Sequence, residues 1–347
     1  MAITRASLRA IFRSPQAVFF SLFFPIVLIV IFGALSGRGG ISVDVAFEKN
    51  IDTTNRLYQT LTQIPVLHVE NGTEEELMDR LKKGRITAII DIQNVPDPNP
   101  EHPYTIHLKT TSASQKDLPV LNSILQSAVN NNSRQIITKE EIPGRNYTYI
   151  DFLLPGLIGF SLIGAAIFGV AFVFFSFRET LVLKRLYSTP IKRGFIVVGE
   201  SIARIIFQML TAVVLILFGK YFYDFTLAHG WVTFIEMLIL SFLGLVVFMG
   251  FGYVISGVAK NQNVIPIYAN LFMFPQYFLS GTFFPKTGLP EGLQKVVKFL
   301  PLTALNDSLR QVSFEGGHIW NVWPEILILL VWGIIIYFIA IKVFRWE

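Results

Sequence analysis

Six stretches of this chain are long and apolar enough to be read as membrane-spanning helices, at about 17–36, 152–177, 195–219, 231–257, 264–284 and 323–343. The hydrocarbon core of a bilayer is about 30 Å thick and takes roughly 20 mostly apolar residues of helix to cross. Composition agrees with that reading. Hydrophobic residues make up 52% of the 347 and charged residues 15%, whereas a soluble domain carries about 25% charge. The chain has no cysteine, which excludes disulfides and any Cys-based zinc, iron–sulfur or thiol chemistry.

A polar block at 37–149 separates the first stretch from the other five. The expected fold class is a polytopic α-helical membrane protein with six transmembrane helices and an extracytoplasmic α/β domain inserted between helices 1 and 2. In residue terms, 1–15 is a cytoplasmic amphipathic interfacial helix, 16–36 the first span, 37–149 the inserted domain and 150–347 a five-helix transmembrane region. The first span follows Arg5, Arg9 and Arg13 as a signal peptide would. Its apolar run is too long for the usual core of roughly 7–15 residues, so it reads as an uncleaved anchor. Before it, Ile3, Leu8, Ile11 and Phe12 are set among those arginines, the pattern of a short helix lying in the interface. A plain extension of the span is the alternative.

Orientation follows from the short loops, because cytoplasmic loops are enriched in Lys and Arg. With the N-terminus inside, the cytoplasmic segments are 1–16, 178–194, 258–263 and 342–347, with 11 basic residues against two acids, Glu179 and Glu347. The 37–149 block holds 12 basic and 14 acidic residues, and long domains cross regardless of charge. Both termini are therefore expected in the cytoplasm and the polar domain outside. The net charge of +5 is then a topology signal, and no nucleic-acid partner is expected.

Within the polar block, ISVDVAF at 41–47, PVLHVE at 65–70, RITAIIDI at 85–92 and YTIHLKT at 104–110 read as strands. Residues 53–62 have helical spacing. NGTEEELMDRLKKGR carries a capping signature, with Thr73 at the N-cap and Glu76 three residues on. A long helix is predicted over about 116–138, giving the order β-α-β-α-β-β-α and a small mixed domain with helices on its sheet. His102 and His107 flank the fourth strand, and their five-residue spacing points them to opposite faces, which argues against a metal site.

Several chemistries are absent from the sequence. There is no G-x-x-x-x-G-K-[ST] loop to cradle ATP phosphates, and no G-x-S-x-G, H-E-x-x-H or G-x-G-x-x-G. Away from their ends the spans carry only Glu200, Arg204 and Glu236 as clear ionisable groups. Ion-coupled carriers usually carry more polar residues at mid-membrane depth. The energy source is therefore expected on another polypeptide, and this chain is expected to be no enzyme and to hold no cofactor.

Two segments say more than hydropathy. In RETLVLKRLYSTPIKR at 178–193, leucines mix with Arg178, Glu179, Lys184 and Arg185, and Pro190 stops the helix. This reads either as a charged cytoplasmic helix placed to transmit force or as a positive loop that only fixes topology. In 275–310, Pro285 ends the fifth span, a brief helix starts with Pro290 in its first turn, and Pro301 ends it. Leu293, Val296, Val297 and Leu300 line one face, too short to span but enough to dip into the outer leaflet. Non-helical backbone at that depth must be covered by protein or reach water. The segment 285–310 is thus either a re-entrant hairpin that could form an outer gate or a surface amphipathic helix.

These residues carry a resemblance. Ser280-Gly281-Thr-Phe-Phe284-Pro285, Leu289-Pro290, Leu300-Pro301-Leu302-Thr303 and Asp307-Ser-Leu309-Arg310 are similar to a C-terminal signature of the ABC-2 family of ABC-exporter permeases. Arg178, Glu179, Leu183, Arg185, Leu186, Thr189 and Pro190 match that family's "RE…L-x-R-L…TP" stretch, with Leu181-Val182 and Lys184 where many members have Gly-Thr and Glu. The polar domain resembles that of members with a large extracytoplasmic domain after the first span.

The resemblance implies a permease that pairs with a second permease subunit, as a homodimer or heterodimer, and with an ABC ATPase subunit that binds ATP and magnesium. It implies an ATPase-coupling helix at 178–193, with Arg178, Glu179, Leu183, Lys184, Arg185, Leu186, Thr189 and Pro190 as coupling residues. The outer gate hairpin would be carried by Ser280, Gly281, Pro285, Pro290, Pro301, Asp307 and Arg310. A location in the plasma (bacterial inner) membrane follows.

Glu200 and Arg204 sit four apart, the spacing that stacks side chains on one helical face. They are either a mutually neutralised pair or a polar element of the path or coupling machinery. Gly156, Gly159, Ala165 and Gly169 recur at spacings that let helices approach closely. The functional expectation is an ATP-driven exporter subunit that moves a hydrophobic or amphiphilic substrate. The rival is a membrane-anchored sensor or assembly factor whose outer domain binds a ligand or protein.

Overall fold

The computed structural model describes residues 2–35, 43–48, 51, 55–64, 66–82, 86–94, 104–111, 118–128, 136–142, 149–180, 193–284, 286 and 289–343. They belong to two compact units, one made of Met1–Gly37 with Tyr149–Glu347 and the other of Arg38–Thr148.

The chain opens with helix α1 (Ala2–Phe12) and a short α2 (Pro15–Val18). A π-helical turn, Phe19–Phe23, leads into α3 (Phe24–Leu35). Pi-helical turns arise where a side chain breaks into the regular ladder. Here Ser161 Oγ donates to the Ser21 carbonyl at 2.7 Å and Gln208 Nε2 donates to Ser21 Oγ at 3.1 Å.

The second unit is a five-stranded sheet. Its strands are β1 (Val43–Phe47), β2 (Leu67–Glu70), β3 (Ala88–Asn94), β4 (Tyr104–Thr111) and β5 (Ile136–Ile142), in the spatial order β2-β1-β3-β4-β5. β1 runs parallel to β2 and β3, β4 antiparallel to β3, and β5 parallel to β4. Parallel neighbours need crossovers, supplied between β1 and β2 by α4 (Arg56–Thr62), between β2 and β3 by α5 (Glu74–Lys82) and between β4 and β5 by α6 (Leu118–Ala128). Alternation along β3 sorts the two faces. Ala88, Ile90 and Ile92 join Leu57 and Leu61 of α4 and Leu121 and Leu125 of α6. Ile89 points the other way, onto Leu77 and Leu81 of α5. The capping box forms as read: Glu76 N donates to Thr73 Oγ1 at 3.3 Å and Thr73 N to Glu76 Oε2 at 3.0 Å.

One expectation for this unit is corrected. The helix placed over 116–138 ends at Ala128, and Ile136–Ile142 is a fifth strand. The β-branched Ile136-Ile137-Thr138 fits a pleated sheet, where β4 offers a full row of backbone partners.

The helical unit resumes with α7 (Tyr149–Glu179), α8 (Arg193–Tyr223), α9 (Trp231–Val258), α10 (Val264–Leu279), α11 (Glu291–Val297), α12 (Pro301–Ser313) and α13 (Trp323–Val343). Four of these, α7, α8, α9 and α13, are long and apolar enough to cross a membrane, while Phe19–Phe32 and Val264–Leu279 are shorter apolar helices. α7 and α9 are apolar all round and pack together at the centre, as such helices do. α13 lies at the edge, with Ile334 72% and Ile341 80% exposed. α1 lays Leu8 and Ile11 against Ala203 and Phe207 of α8, so the amphipathic segment has a helix as its partner.

The segment 285–310 is also corrected in part. The brief helix ends at Val297, ahead of Pro301 as read, but Pro301 also opens the 13-residue helix α12. A proline lacks the N–H that the first helical position leaves unbonded and has the right φ already, so it starts a helix as readily as it stops one.

Candidate functional site

The signature residues near the C-terminal third meet in one buried knot. α10 ends at Leu279, and the chain turns at Gly281, whose φ of +72° lies in the left-handed region open to glycine. Ser280 Oγ and Thr282 Oγ1 share a hydrogen bond of 2.8 Å, and Asn306 Nδ2 of α12 donates to Thr282 Oγ1 at 3.1 Å. The start of α12 is satisfied by α10: Leu302 N, one of the donors a helix leaves without a partner, bonds Gln276 Oε1 at 3.1 Å. α7 fits beneath because it carries glycines. A Cβ on Gly156 would stand 2.5 Å from the Thr282 carbonyl oxygen, and Gly159 faces Asn306 and Leu302 as tightly.

Arg310 ties the knot to α7. Its Nε and Nη2 each donate to the Phe152 carbonyl at 3.1 Å, Nη2 also reaches the Gly281 carbonyl at 2.5 Å, and the guanidinium lies 4.0 Å from the centre of the Phe152 ring. Pro155, which cannot continue the helical ladder, stands within one turn of that carbonyl. Asp307 Oδ1 is 4.0 Å from Arg310, and Asp307 Oδ2 pairs with Lys286 Nζ. Two buried atoms in this layer, Asn306 Oδ1 and Thr303 Oγ1, have no hydrogen-bond partner among the described residues. Of the residues read as the outer hairpin, Ser280, Gly281, Asp307 and Arg310 thus come together. Pro290 is the N-cap of α11, Pro301 heads α12, and Pro285 lies outside the described residues.

A second polar layer crosses α8. Arg204 Nη2 and Glu200 Oε1 are 2.8 Å apart with side chains 11% and 3% exposed, so the four-residue spacing does make an ion pair. Gly169 of α7 makes room for Arg204, and Arg204 Nε is buried without a partner among the described residues. Ser201 Oγ donates to the Val197 carbonyl at 2.6 Å and lies 2.5 Å from Tyr253 Oη, so the tyrosine hydroxyl is the donor between them. A buried pair of this kind is a poor stabiliser, since desolvation of both charges offsets their attraction.

At the end of α7, Arg178 Nη2 donates to the Ala259 carbonyl at 2.5 Å and Nη1 to the Gly257 carbonyl at 3.4 Å. Glu179 is exposed. Leu183, Lys184, Arg185, Leu186, Thr189 and Pro190 lie outside the described residues.

One cluster escaped the sequence reading. The sequence shows Glu236 only as one of three clear ionisable groups within the spans, and in the structure it is 6% exposed. Its Oε1 accepts from Ile319 N at 3.2 Å and lies 3.2 Å from His318 Nδ1. His318 is stacked between His229 and Trp320, with ring centres 4.2 and 4.7 Å away. Glu236 and His318 stand 82 positions apart, and no local pattern joins them.

Comparison with known proteins places this geometry. The sequence profile described as "ABC-2 family transporter protein" matches residues 16–342. The chain is 24% identical over 298 residues to "ABC transporter G family member 20" of Dictyostelium discoideum, covering 79% of this chain and 40% of that protein. It is 25% identical over 207 residues to "Probable multidrug ABC transporter permease YbhR" of Escherichia coli K12, covering 58% and 55%. The match thus spans about half the length of these two relatives. "Linearmycin resistance permease protein LnrN" of Bacillus subtilis is 20% identical with 99% of both chains aligned. With the profile running across α3, the knot and nearly all of α13, this chain belongs to the ABC-2 family of transporter proteins.

Proposed function

We propose that this chain is the transmembrane subunit of an ATP-driven exporter, powered by a separate ABC ATPase subunit and working as a pair of permease halves. The observation that carries this reading is the family match over 16–342 in a sequence that lacks a phosphate-cradling loop of its own. ATP and magnesium belong to the partner. Six segments cross the plasma membrane in this reading, the shorter Phe19–Phe32 and Val264–Leu279 with them, both termini are cytoplasmic, and the α/β unit lies outside. Exposed Trp231, Trp320 and Trp323, gathered where α9 and α13 begin, suit the aromatic belt of the outer interface.

The cargo is a hydrophobic or amphiphilic molecule, drug-like or lipid-like. Two relatives named for multidrug and linearmycin resistance support that class. In this reading, segment 178–193 docks on the ATPase, and the knot at Ser280–Arg310 shapes the exit. The test is a deletion strain profiled against a panel of amphiphiles. Greater accumulation of one class, reversed by the restored chain, supports the proposal. Unchanged accumulation and susceptibility across the panel overturn it.

A further inference from the structure

Arg178 falls in the segment expected to face an ATPase, but its guanidinium turns inward. It meets the end of α9, where the last carbonyls of a helix lack partners and carry the negative end of the helix dipole. Ala259, the C-cap, is extended (φ −62°, ψ 127°) and 2% exposed, and its carbonyl takes the 2.5 Å bond from Nη2. Nη1 takes the Gly257 carbonyl at 3.4 Å, and the guanidinium carbon lies 4.9 Å from the Phe175 ring centre. A planar fork with several donors suits two carbonyls at once; an ammonium does not.

The same corner holds two more helices. A Cβ on Gly257 would stand 2.7 Å from the Val343 carbonyl oxygen, so the end of α13 lies directly against it. The link from α9 to α10 is short and fastened: Asn261 Oδ1 accepts from Val264 N at 3.1 Å, in the first turn of α10. At its far end α10 supplies Gln276, which holds Leu302 N, and leads through Ser280 into the turn that Arg310 grips. One helix therefore runs from the corner capped by Arg178 to the knot.

We infer that Arg178 is a positioning residue that fastens the end of α7 to the α9–α10 corner, so that α10 carries displacement of that end to the Ser280–Arg310 knot. The inference rests on the proposed function, because the displacement would come from the ATPase. It assigns Arg178 to transmission within the chain, and α10 to the moving rod between the two ends.

The experiment uses the full-length chain in complex with the ATPase that accompanies it. Backbone hydrogen exchange is followed at 257–264 and at 300–306, with and without ATP and vanadate. In the wild type, nucleotide trapping changes exchange in both segments. In Arg178→Gln the ATPase remains bound and both changes are lost; Arg178→Lys, which keeps one strong donor, retains part of each. The absence of cysteine permits a second variant, Arg178→Cys with Ala259→Cys, in which a short bifunctional thiol reagent restores both changes. Should Arg178→Gln not fold, the Lys variant and the cross-linked variant decide. Three results overturn the inference: full changes in Arg178→Gln, changes that cross-linking does not restore, or loss of the ATPase from Arg178→Gln, which would make Arg178 a partner contact. A wild-type chain that brings no ATPase with it would instead overturn the proposed function.

Discussion

Arg310 holds Phe152 twice, by two hydrogen bonds of 3.1 Å to its carbonyl oxygen and by a guanidinium lying 4.0 Å from the centre of its ring. The two residues are 158 positions apart, and the contact fastens α12 to α7. Lysine cannot reproduce a bidentate, stacked guanidinium. Arg310→Lys is expected to cost about 1–2 kcal/mol, and Arg310→Met about 2–3 kcal/mol, because the Phe152 and Gly281 carbonyls would then lose their charged donor. Thermal unfolding in mild detergent checks this. Equal melting of Arg310→Lys and wild type would refute the clamp.

Glycine at 156 is set by the Thr282 backbone, 2.5 Å from where a Cβ would stand. Gly156→Ala must push the turn at Thr282 away from α7 and is expected to destabilise by about 1–3 kcal/mol. Gly194, in the first turn of α8, has nothing among the described residues within 4 Å of the same position. Gly194→Ala, at that exposed position, should be neutral or stabilise by less than about 1 kcal/mol. The two variants, melted side by side, distinguish close approach from general helix propensity.

Removal of one partner of the Glu200–Arg204 pair strands a charge beneath the surface. Glu200→Gln is expected to cost about 3–5 kcal/mol, while Glu200→Gln with Arg204→Gln should cost less than the sum of the single variants. Strict additivity would show that the 2.8 Å contact is not an energetic pair. If the double variant also exports at the wild-type rate, the pair serves packing alone.

In the α/β unit, Lys109 Nζ donates to Glu48 Oε1 at 2.9 Å, and that bond, more than the opposing desolvation, holds its pKa above the ordinary 10.5. Both side chains are more than a quarter exposed, so the pair contributes at most about 1 kcal/mol. A raised lysine pKa stabilises while the group is protonated in both states. The contribution of the pair, read as the difference between wild type and Lys109→Met, should therefore hold steady from neutral pH to pH 10.5 and be lost as pH rises through the higher folded value. A difference that grows above pH 10.5 would contradict this.

Much of this was legible before any coordinate. Hydropathy alone located the long helices, because a buried or lipid-facing span must be apolar along its whole length. The Thr73–Glu76 box was readable because both halves of it are local. Pro301 was read only as a terminator, and the helix it opens was missed, since the residue that stops one helix is also the one that best begins another. The strand at Ile136–Ile142 was hidden because its backbone partners, in β4, lie about thirty residues upstream. Arg310 with Phe152 and Glu236 with His318 were beyond reach for the same reason: only the fold makes them neighbours.

The central claim is that this chain is driven by an ATPase it does not itself contain. Its most direct test is purification of the full-length chain from its native membrane under mild detergent, followed by identification of every accompanying subunit and assay of ATP hydrolysis. The account predicts an ABC ATPase in near-equal amount and vanadate-sensitive hydrolysis. Repeated purification of the intact chain with no ATPase and no hydrolysis would contradict it.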